Sequence, residues 1–171
     1  MPLLRRPTLA LVTIAALAAA SSAPAATVPH QVKQNGAGAC QGALPAFAGT
    51  LRARPLALQN EGAAAAFATC SLLYDDAYSA PVLGVSVRLT NNTPADVLGS
   101  CTLVDGSVQN PASYLTRSVA IPANGSASLI FFNTDYPEPV ASITRPNLSC
   151  ALPTGQGIGY VVYFSSREVV P

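Results

Sequence analysis

Apolar and polar residues alternate along most of this chain beyond residue 66. Val85, Val87 and Leu89, for example, are each separated by one polar residue. A period of two predicts a β-strand with one buried face. The pattern predicts strands over residues 68–74, 85–90, 97–104, 115–121, 126–132, 148–152 and 158–165, with one or two irregular strands within 44–58.

Turn-forming residues separate these predicted strands. Asn124-Gly125 lies between two of them, and both residue types tolerate positive φ, which is typical of tight hairpin turns. The sequence therefore predicts a hairpin of strands 115–121 and 126–132. A second hairpin, of strands 148–152 and 158–165, is predicted around residues 154–157. About seven short strands without a long helix predict an all-β fold, a single antiparallel β-sandwich that is Ig-like or jelly-roll-like.

The first 25 residues have the pattern of a secretory signal peptide. Arg5 and Arg6 form a positive start, residues 9–20 are uncharged and rich in Ala and Leu, and Ala23-Pro24-Ala25 provides a cleavage site. The apolar run is shorter than the roughly 20 residues that a membrane-spanning helix needs. We therefore expect a signal peptide over residues 1–25, a flexible N-terminal arm over 26–38 and one sandwich domain over 39–171.

Charge is scarce in this sequence. Half of the residues are hydrophobic and 10% are charged, compared with roughly 25% charged residues in an average soluble protein. Removing Arg5 and Arg6 with the signal peptide changes the formal charge from +1 to −1. A nearly neutral chain predicts no nucleic-acid partner, because such binding depends on clustered positive charge. No second long apolar stretch follows, so we expect no membrane span in the mature chain. We also expect a monomer.

Four cysteines fall in the predicted mature chain, at positions 40, 70, 101 and 150. An even number of cysteines in a secreted protein predicts disulfides, with three possible connectivities. Cys101 and Cys150 are in phase with apolar residues of their strands, so both should face the core. This phase favours Cys101–Cys150, which leaves Cys40–Cys70 as the second pair. Arg in large excess over Lys and abundant Ala are typical of GC-rich bacterial genomes. A signal peptide in a bacterial protein directs it to the periplasm or to the exterior, so the expected location is secreted or periplasmic, where disulfides form.

Short motifs around these cysteines resemble a group of small, uncharacterised, secreted bacterial β-sandwich proteins. The motifs are Cys40 after Gly38-Ala39, then Thr69-Cys70, Cys101-Thr102-Leu103 and Cys150-Ala151-Leu152-Pro153. Their order follows the pattern C…TC…CTL…CxLP and covers most of the mature chain. Ser71 stands where that group usually has a proline. The resemblance implies the sandwich fold and secretion, and it implies no activity and no catalytic residues.

Few side chains are suited to catalysis or to metal binding. His30 is the only histidine, and it falls in the predicted flexible arm, where a catalytic base would not be held in place. No nucleophile elbow, phosphate loop or dinucleotide-binding motif is present. The wide cysteine spacing and the lack of Cys/His pairs do not fit a zinc site. The sequence predicts no enzyme activity, no catalytic residue, no metal and no cofactor.

Two predicted loops combine carboxylates with tyrosines. Asp76 and Tyr78 follow one strand, and Asp135 and Tyr136 follow another. Aromatic rings beside carboxylates suit sugars, because the C–H face of a sugar stacks on a ring while its hydroxyls form hydrogen bonds. Two functions therefore stay open at this stage. The first is a non-enzymatic structural or interaction module with an unknown envelope partner; the second is a module that binds a glycan or small ligand with these four residues.

Overall fold

A computed structural model describes residues 26–73, 82–107, 110–136 and 143–169. This part of the chain contains a four-residue helix, α1 (Gly36–Ala39), and 3₁₀ turns at Pro45–Phe47 and Asn133–Asp135. Its strands are β1 (Ala26–Asn35), β2 (Cys40–Gly42), β3 (Leu51–Arg54), β4 (Ala57–Asn60), β5 (Ala66–Ser71), β6 (Val82–Asn91), β7 (Val97–Ser107), β8 (Asn110–Ile121), β9 (Ser126–Phe132), β10 (Pro146–Leu152) and β11 (Gln156–Val169).

The strands form two antiparallel sheets that pack face to face. Sheet A has the order β3-β4-β11-β6-β9, and β1 also pairs with β11; sheet B has the order β2-β5-β10-β7-β8. The core lies between them. It receives Val87 and Phe131 from sheet A and Leu103, Leu148 and Leu152 from sheet B, all of them fully buried. The predicted all-β antiparallel sandwich is confirmed, whereas the predicted signal peptide lies outside the described residues.

Both predicted hairpins are wrong, because the two turns connect different sheets. β8 belongs to sheet B and β9 to sheet A, where β9 pairs with β6. β10 and β11 are divided between the sheets in the same way. Asn124 does adopt a positive φ of 49°. Local turn chemistry reverses the chain, but the strand that the next segment pairs with is fixed by distant residues.

The crossing from β6 to β7 is organised by the side chain of Asn91, which is fully buried. Its Nδ2 donates to the carbonyl oxygens of Ala95 at 2.8 Å, Ile121 at 3.3 Å and Pro122 at 3.1 Å. Its Oδ1 accepts from the backbone N–H of Thr93 at 2.9 Å and from the Thr93 hydroxyl at 2.7 Å. One amide therefore satisfies backbone groups of two neighbouring connections between the sheets.

Asn60 repeats this arrangement at the crossing from β4 to β5. Its Oδ1 accepts from the N–H of Gly62 at 2.9 Å, and its Nδ2 donates to the carbonyls of Ala64 and Leu152, both at 2.8 Å. Both asparagines end a strand of sheet A. In each, the side-chain oxygen accepts from the backbone N–H two residues later, and the side-chain nitrogen donates to the backbone carbonyl four residues later. We call these two residues the asparagine corners.

The disulfides are Cys40–Cys70 and Cys101–Cys150, as strand phase predicts. Cys101 and Cys150 lie directly opposite each other on β7 and β10, and Cys40 lies opposite Cys70 on β2 and β5. Both bridges therefore join adjacent strands of sheet B. All four cysteines are buried in the core.

The predicted flexible arm is a strand over most of its length. Residues 26–35 form β1, which pairs antiparallel with β11 in a continuous register from Ala26↔Val169 to Asn35↔Tyr160. The polar composition of β1 suits a strand at a sheet edge, because such a strand is held mainly by backbone hydrogen bonds. His30 therefore lies within a paired strand, and its Nδ1 lies 3.4 Å from the Ser165 hydroxyl.

Candidate functional site

A groove opens on the outer face of sheet A, beside the turn that joins β3 to β4. Its volume is about 390 Å³, and it is lined by Arg54, Pro55, Leu56, Ala57, Gln59, Thr90 and Asn92. Small-molecule sites in proteins commonly have volumes of about 300–1,000 Å³. The groove is therefore large enough for a small ligand, and we take it as the candidate site.

Sheet register brings Gln59 and Thr90 to the two sides of the groove. Gly157 on β11 lies opposite Gln59 on one side and opposite Thr90 on the other. Leu58 and Leu89 point into the core, so their neighbours Gln59 and Thr90 point outward. A side chain at position 157 would not fit, because its Cβ would lie 2.9 Å from the Leu58 carbonyl oxygen.

Gly159 leaves free space between two groove-lining residues. The register of β11 with β6 shifts between Ile158 and Tyr160, so Gly159 is the extra residue of a β-bulge. A Cβ at this position would lie 3.7 Å from Thr90 Cγ2 and 3.8 Å from the Leu56 carbonyl oxygen. These are ordinary contacts, so a methyl group would fit between these two groove-lining residues without a clash. Glycine within a strand often marks a close approach of a ligand or another backbone.

The groove presents hydrogen-bonding groups and an apolar wall without an unpaired charge. Gln59 and Asn92 carry amides and Thr90 a hydroxyl, so these three residues can both donate and accept. The Arg54 guanidinium is neutralised by Glu61, to which its Nε and Nη2 donate at 2.6 Å and 2.7 Å. Leu56 is 83% exposed at the tip of the β3–β4 turn. This combination suits a small ligand that bears hydroxyl groups and one apolar face.

The N-terminal strand supports the wall of the groove. Asn35 at the end of β1 donates from Nδ2 to the carbonyl of Pro55 at 3.2 Å, which holds the β3–β4 turn against the rest of the sheet. On the same face, the Lys33 ammonium lies 3.9 Å from the centre of the Tyr160 ring, a cation–π contact. The segment that the sequence predicts to be a loose arm therefore contributes to the site.

The structure places two of the four sequence-predicted ligand residues. Asp76 and Tyr78 lie outside the described residues, so the predicted convergence of the two loops stays a prediction. Asp135 accepts from the backbone N–H of Phe132 at 2.5 Å and forms an ion pair of 2.8 Å with Arg117. Tyr136 is 5% exposed, so its ring is not presented to solvent as a stacking platform.

The Tyr136 hydroxyl is buried, and no described group forms a hydrogen bond with it. Burial, together with the nearby Asp105 carboxylate, raises the pKa of Tyr136 to about 12. The Asp105 Oδ1 is itself held by the backbone N–H groups of Thr144 and Arg145, at 2.9 Å and 2.8 Å. These contacts are structural, since they close the end of β7 over the core.

Sequence reasoning missed the groove because its residues belong to separate segments. Gln59, Thr90 and Gly159 lie on three different strands, and no short motif links them. The available signals are Gly159, which interrupts the apolar alternation of β11, and Leu56, which follows a proline in a turn. Neither has a specific meaning until the register of the sheet is known.

The described part of the chain contains neither a cluster of metal ligands nor a membrane-spanning helix. Among residues 26–73, 82–107, 110–136 and 143–169, no three His, Cys, Asp or Glu side chains are grouped so that they could hold a metal ion. Within those ranges, no helix has the length and apolar character needed to cross a membrane.

Comparison with known proteins gives no family. No family model matches the chain, and no curated protein matches it. Among solved structures, a protein of the disulfide-linked pili of Bacillus endospore appendages is 13% identical, with a TM-score of 0.34, 95% of this chain covered and 99% of that one. A family 11 carbohydrate-binding module from Clostridium thermocellum is 9% identical, with a TM-score of 0.37 and coverages of 84% and 88%. A third, the module TmCBM61 in complex with β-1,4-galactotriose, is 10% identical, with a TM-score of 0.31 and coverages of 81% and 88%. At these scores none of the three similarities indicates a shared function.

Proposed function

We propose that this chain is a secreted or periplasmic, non-enzymatic module that binds a small uncharged ligand rich in hydroxyl groups, such as one or two sugar residues, in the groove on sheet A. The observation that carries the proposal is the composition of the groove. It combines amides, a hydroxyl, a neutralised guanidinium and an exposed leucine around an unfilled bulge glycine. Location outside the cytoplasm is supported by the two disulfides, which form in oxidising compartments.

The ligand class follows from the charge and polarity of the lining. A charged ligand would need an unpaired opposite charge in the groove, whereas the Arg54 side chain is already paired with Glu61. A purely apolar ligand would cover the amide and hydroxyl groups of the groove without giving them partners, which is costly. A sugar satisfies both requirements, since its hydroxyls can bond Gln59, Thr90 and Asn92 while its C–H face contacts Leu56.

Filling the groove with a methyl group tests this proposal. The purified secreted protein is applied to a glycan array, and the best hit is measured by isothermal titration calorimetry. Gly159→Ala is expected to weaken binding about tenfold or more, because a well-packed site tolerates added volume poorly. Gly49→Ala is the matched control, since no atom lies within 4 Å of a Cβ there.

A second variant separates lost hydrogen bonding from lost space. Thr90→Val keeps the shape of the side chain and removes its hydroxyl, so it should weaken binding by about 1 kcal/mol. Equal affinity of the wild type and Gly159→Ala for every bound sugar, or an array without any hit, would refute the groove as a saccharide site.

A second candidate function is an interaction module that contacts another protein. It is favoured by exposed apolar side chains on β6 and β9 of sheet A: Leu83 is 37% exposed, Ile130 38% and Phe132 46%. Gly84 and Ser86 lie opposite Phe132 and Ile130. Because both are small, the side chains of Phe132 and Ile130 project beyond them from the surface of the sheet. Sedimentation of the wild type and Phe132→Ser across a concentration series tests self-association. A wild type that stays monomeric at every concentration would refute self-association through this patch.

A further inference from the structure

The outer face of sheet B is rich in hydroxyl side chains. Leu148, Cys150 and Leu152 of β10 are fully buried, so the residues between them point outward. The sheet register continues this outward row across four strands, through Thr69, Ser149, Thr102 and Thr116. The central row therefore consists of hydroxyl side chains over these four strands, and the exposed amide of Gln41 continues it on β2.

The two neighbouring rows are also uncharged. One consists of Phe67, Ala151, Ser100 and Ser118, and the other of Ser71, Asn147, Val104 and Tyr114. All of these side chains are partly or well exposed. Arg117 of β8 does not contribute charge here, because its guanidinium reaches towards sheet A and donates to the Ile130 carbonyl at 2.6 Å. Twelve adjacent outward positions thus carry no ionisable group other than the phenol of Tyr114.

The size of this face decides between possible partners. Strands lie about 4.8 Å apart and residues about 3.3 Å apart along a strand, so the twelve positions span about 14 Å by 13 Å. Gln41 on β2 and the exposed pair of Leu98 and Ala120 extend the face by one strand and one row, to about 19 Å by 20 Å. Such a footprint is a few hundred Å², well below the roughly 800 Å² that each partner buries in a standard protein–protein interface. A second copy of this chain would therefore be held too weakly through this face alone.

The chemistry of the face fits a neutral polymer of hydroxyl-bearing units. Every Ser and Thr hydroxyl can donate and accept, and Thr102 and Thr116 already show this with an Oγ1–Oγ1 distance of 2.8 Å. Phe67 is 49% exposed and Tyr114 68% exposed, on opposite corners of the grid. By the strand spacing these two rings lie about 19 Å apart, so a ligand that uses both must be extended.

We propose that the outer face of sheet B docks onto an extended, uncharged polysaccharide. The rings of Phe67 and Tyr114 contact its C–H faces, and the hydroxyl row between them bonds its hydroxyls. This surface lies on the opposite sheet from the groove, so the proposal does not rest on the proposed function. A polymer presents many equivalent sites along one chain, so weak binding at each site still gives measurable adsorption.

Adsorption to insoluble polysaccharides tests the proposal. The secreted protein is mixed with microcrystalline cellulose or chitin, and the depleted supernatant gives a binding isotherm at low salt and at about 1 M NaCl. We expect adsorption to at least one of them, with an affinity that changes less than twofold with salt, because no charge pair is screened. Thr116→Glu, which puts a carboxylate into the hydroxyl row, is expected to reduce the affinity about tenfold or more.

Three further variants distinguish adsorption through this face from general effects of charge and from binding in the groove. Thr154→Glu introduces the same charge at an exposed position outside the face and should adsorb like the wild type; Tyr114→Ala should weaken adsorption. Gly159→Ala, which fills the groove on sheet A, should leave adsorption unchanged, so failure of the two proposals can be told apart. Lack of adsorption to both polysaccharides would overturn the inference. It would also be overturned by adsorption only to anionic dextran sulfate beads, or by self-association in sedimentation that Thr116→Glu abolishes.

Discussion

Removing the Asn91 side chain should destabilise the sandwich more than any surface change nearby. In the variant Asn91→Ala, three backbone carbonyls and the Thr93 N–H lose their side-chain partner. Leaving a buried polar group unpaired costs about 1–3 kcal/mol. Water can reach several of these groups, since only the bond to the Ile121 carbonyl is fully buried. We therefore expect a loss of about 3 kcal/mol in the free energy of unfolding.

Urea denaturation measures this loss with the disulfides intact. A slope of about 1–3 kcal/mol per molar urea converts 3 kcal/mol into a midpoint that is lower by about 1–3 M. Asn91→Asp is the sharper variant, because its carboxylate would face three carbonyl oxygens in place of the donor; it should be at least as destabilising. Asn92→Ala, at the exposed next position, should change stability by less than about 0.5 kcal/mol. A loss below about 1 kcal/mol for Asn91→Ala would refute the role assigned to this corner.

Three further predictions concern the core and its edges. Replacing Cys101 and Cys150 together by Ala should lower stability by about 4 kcal/mol, because the bridge closes a loop of 49 residues; thermal unfolding without reductant measures it. Tyr136, whose pKa is about 12 in the fold against 10.0 in the unfolded chain, favours the native state below pH 10 and loses this contribution as the pH rises to 12. Tyr136→Phe should reduce that pH dependence and, by removing a buried hydroxyl for which the described residues provide no partner, raise stability by about 1 kcal/mol. Arg117→Ala should free the Ile130 carbonyl at the β9 edge and so accelerate amide hydrogen exchange in β9, which hydrogen-exchange mass spectrometry would detect.

Strand phase predicts local structure in this chain, and sheet assignment depends on distant residues. The alternation around Cys101 and Cys150 correctly predicts that both face the core, and hence the disulfide pairing. The Asn124-Gly125 signal correctly predicts a chain reversal, but the following strand pairs with β6 instead of β8. A tight turn is compatible with a hairpin or with a crossing between sheets, since both need the same local backbone. The choice between a hairpin and a crossing is set by the sheet that β9 joins when it buries Leu129 and Phe131.

Edge strands and sheet-face sites leave the weakest signal in the sequence. β1 is mainly polar because its backbone pairs with β11 at a sheet edge, so hydrophobic periodicity cannot reveal it. The groove needs Gln59, Thr90 and Gly159, which only the pairing of β4, β11 and β6 brings together. Predicting such a site would require the register, and a shift of one residue would turn Gln59 and Thr90 into the core.

The asparagine corners link the stability of the sandwich to the groove. The backbone N–H of Asn92, a groove residue, donates to the Gly155 carbonyl at 3.0 Å, and the Gly155 N–H donates to the Asn60 carbonyl at 2.9 Å. One wall of the groove is thereby fixed between the two corners before any ligand arrives. A wall that is already ordered lowers the entropic cost of binding. Asn60→Ala keeps this backbone carbonyl but removes the side-chain hydrogen bonds to Gly62, Ala64 and Leu152 that position it. The variant should therefore weaken ligand binding in the groove even though the Asn60 side chain does not line it. The outer face of sheet B, which is held by the Cys101–Cys150 bridge and its own ladder, should keep its adsorption in that variant, provided the protein remains folded.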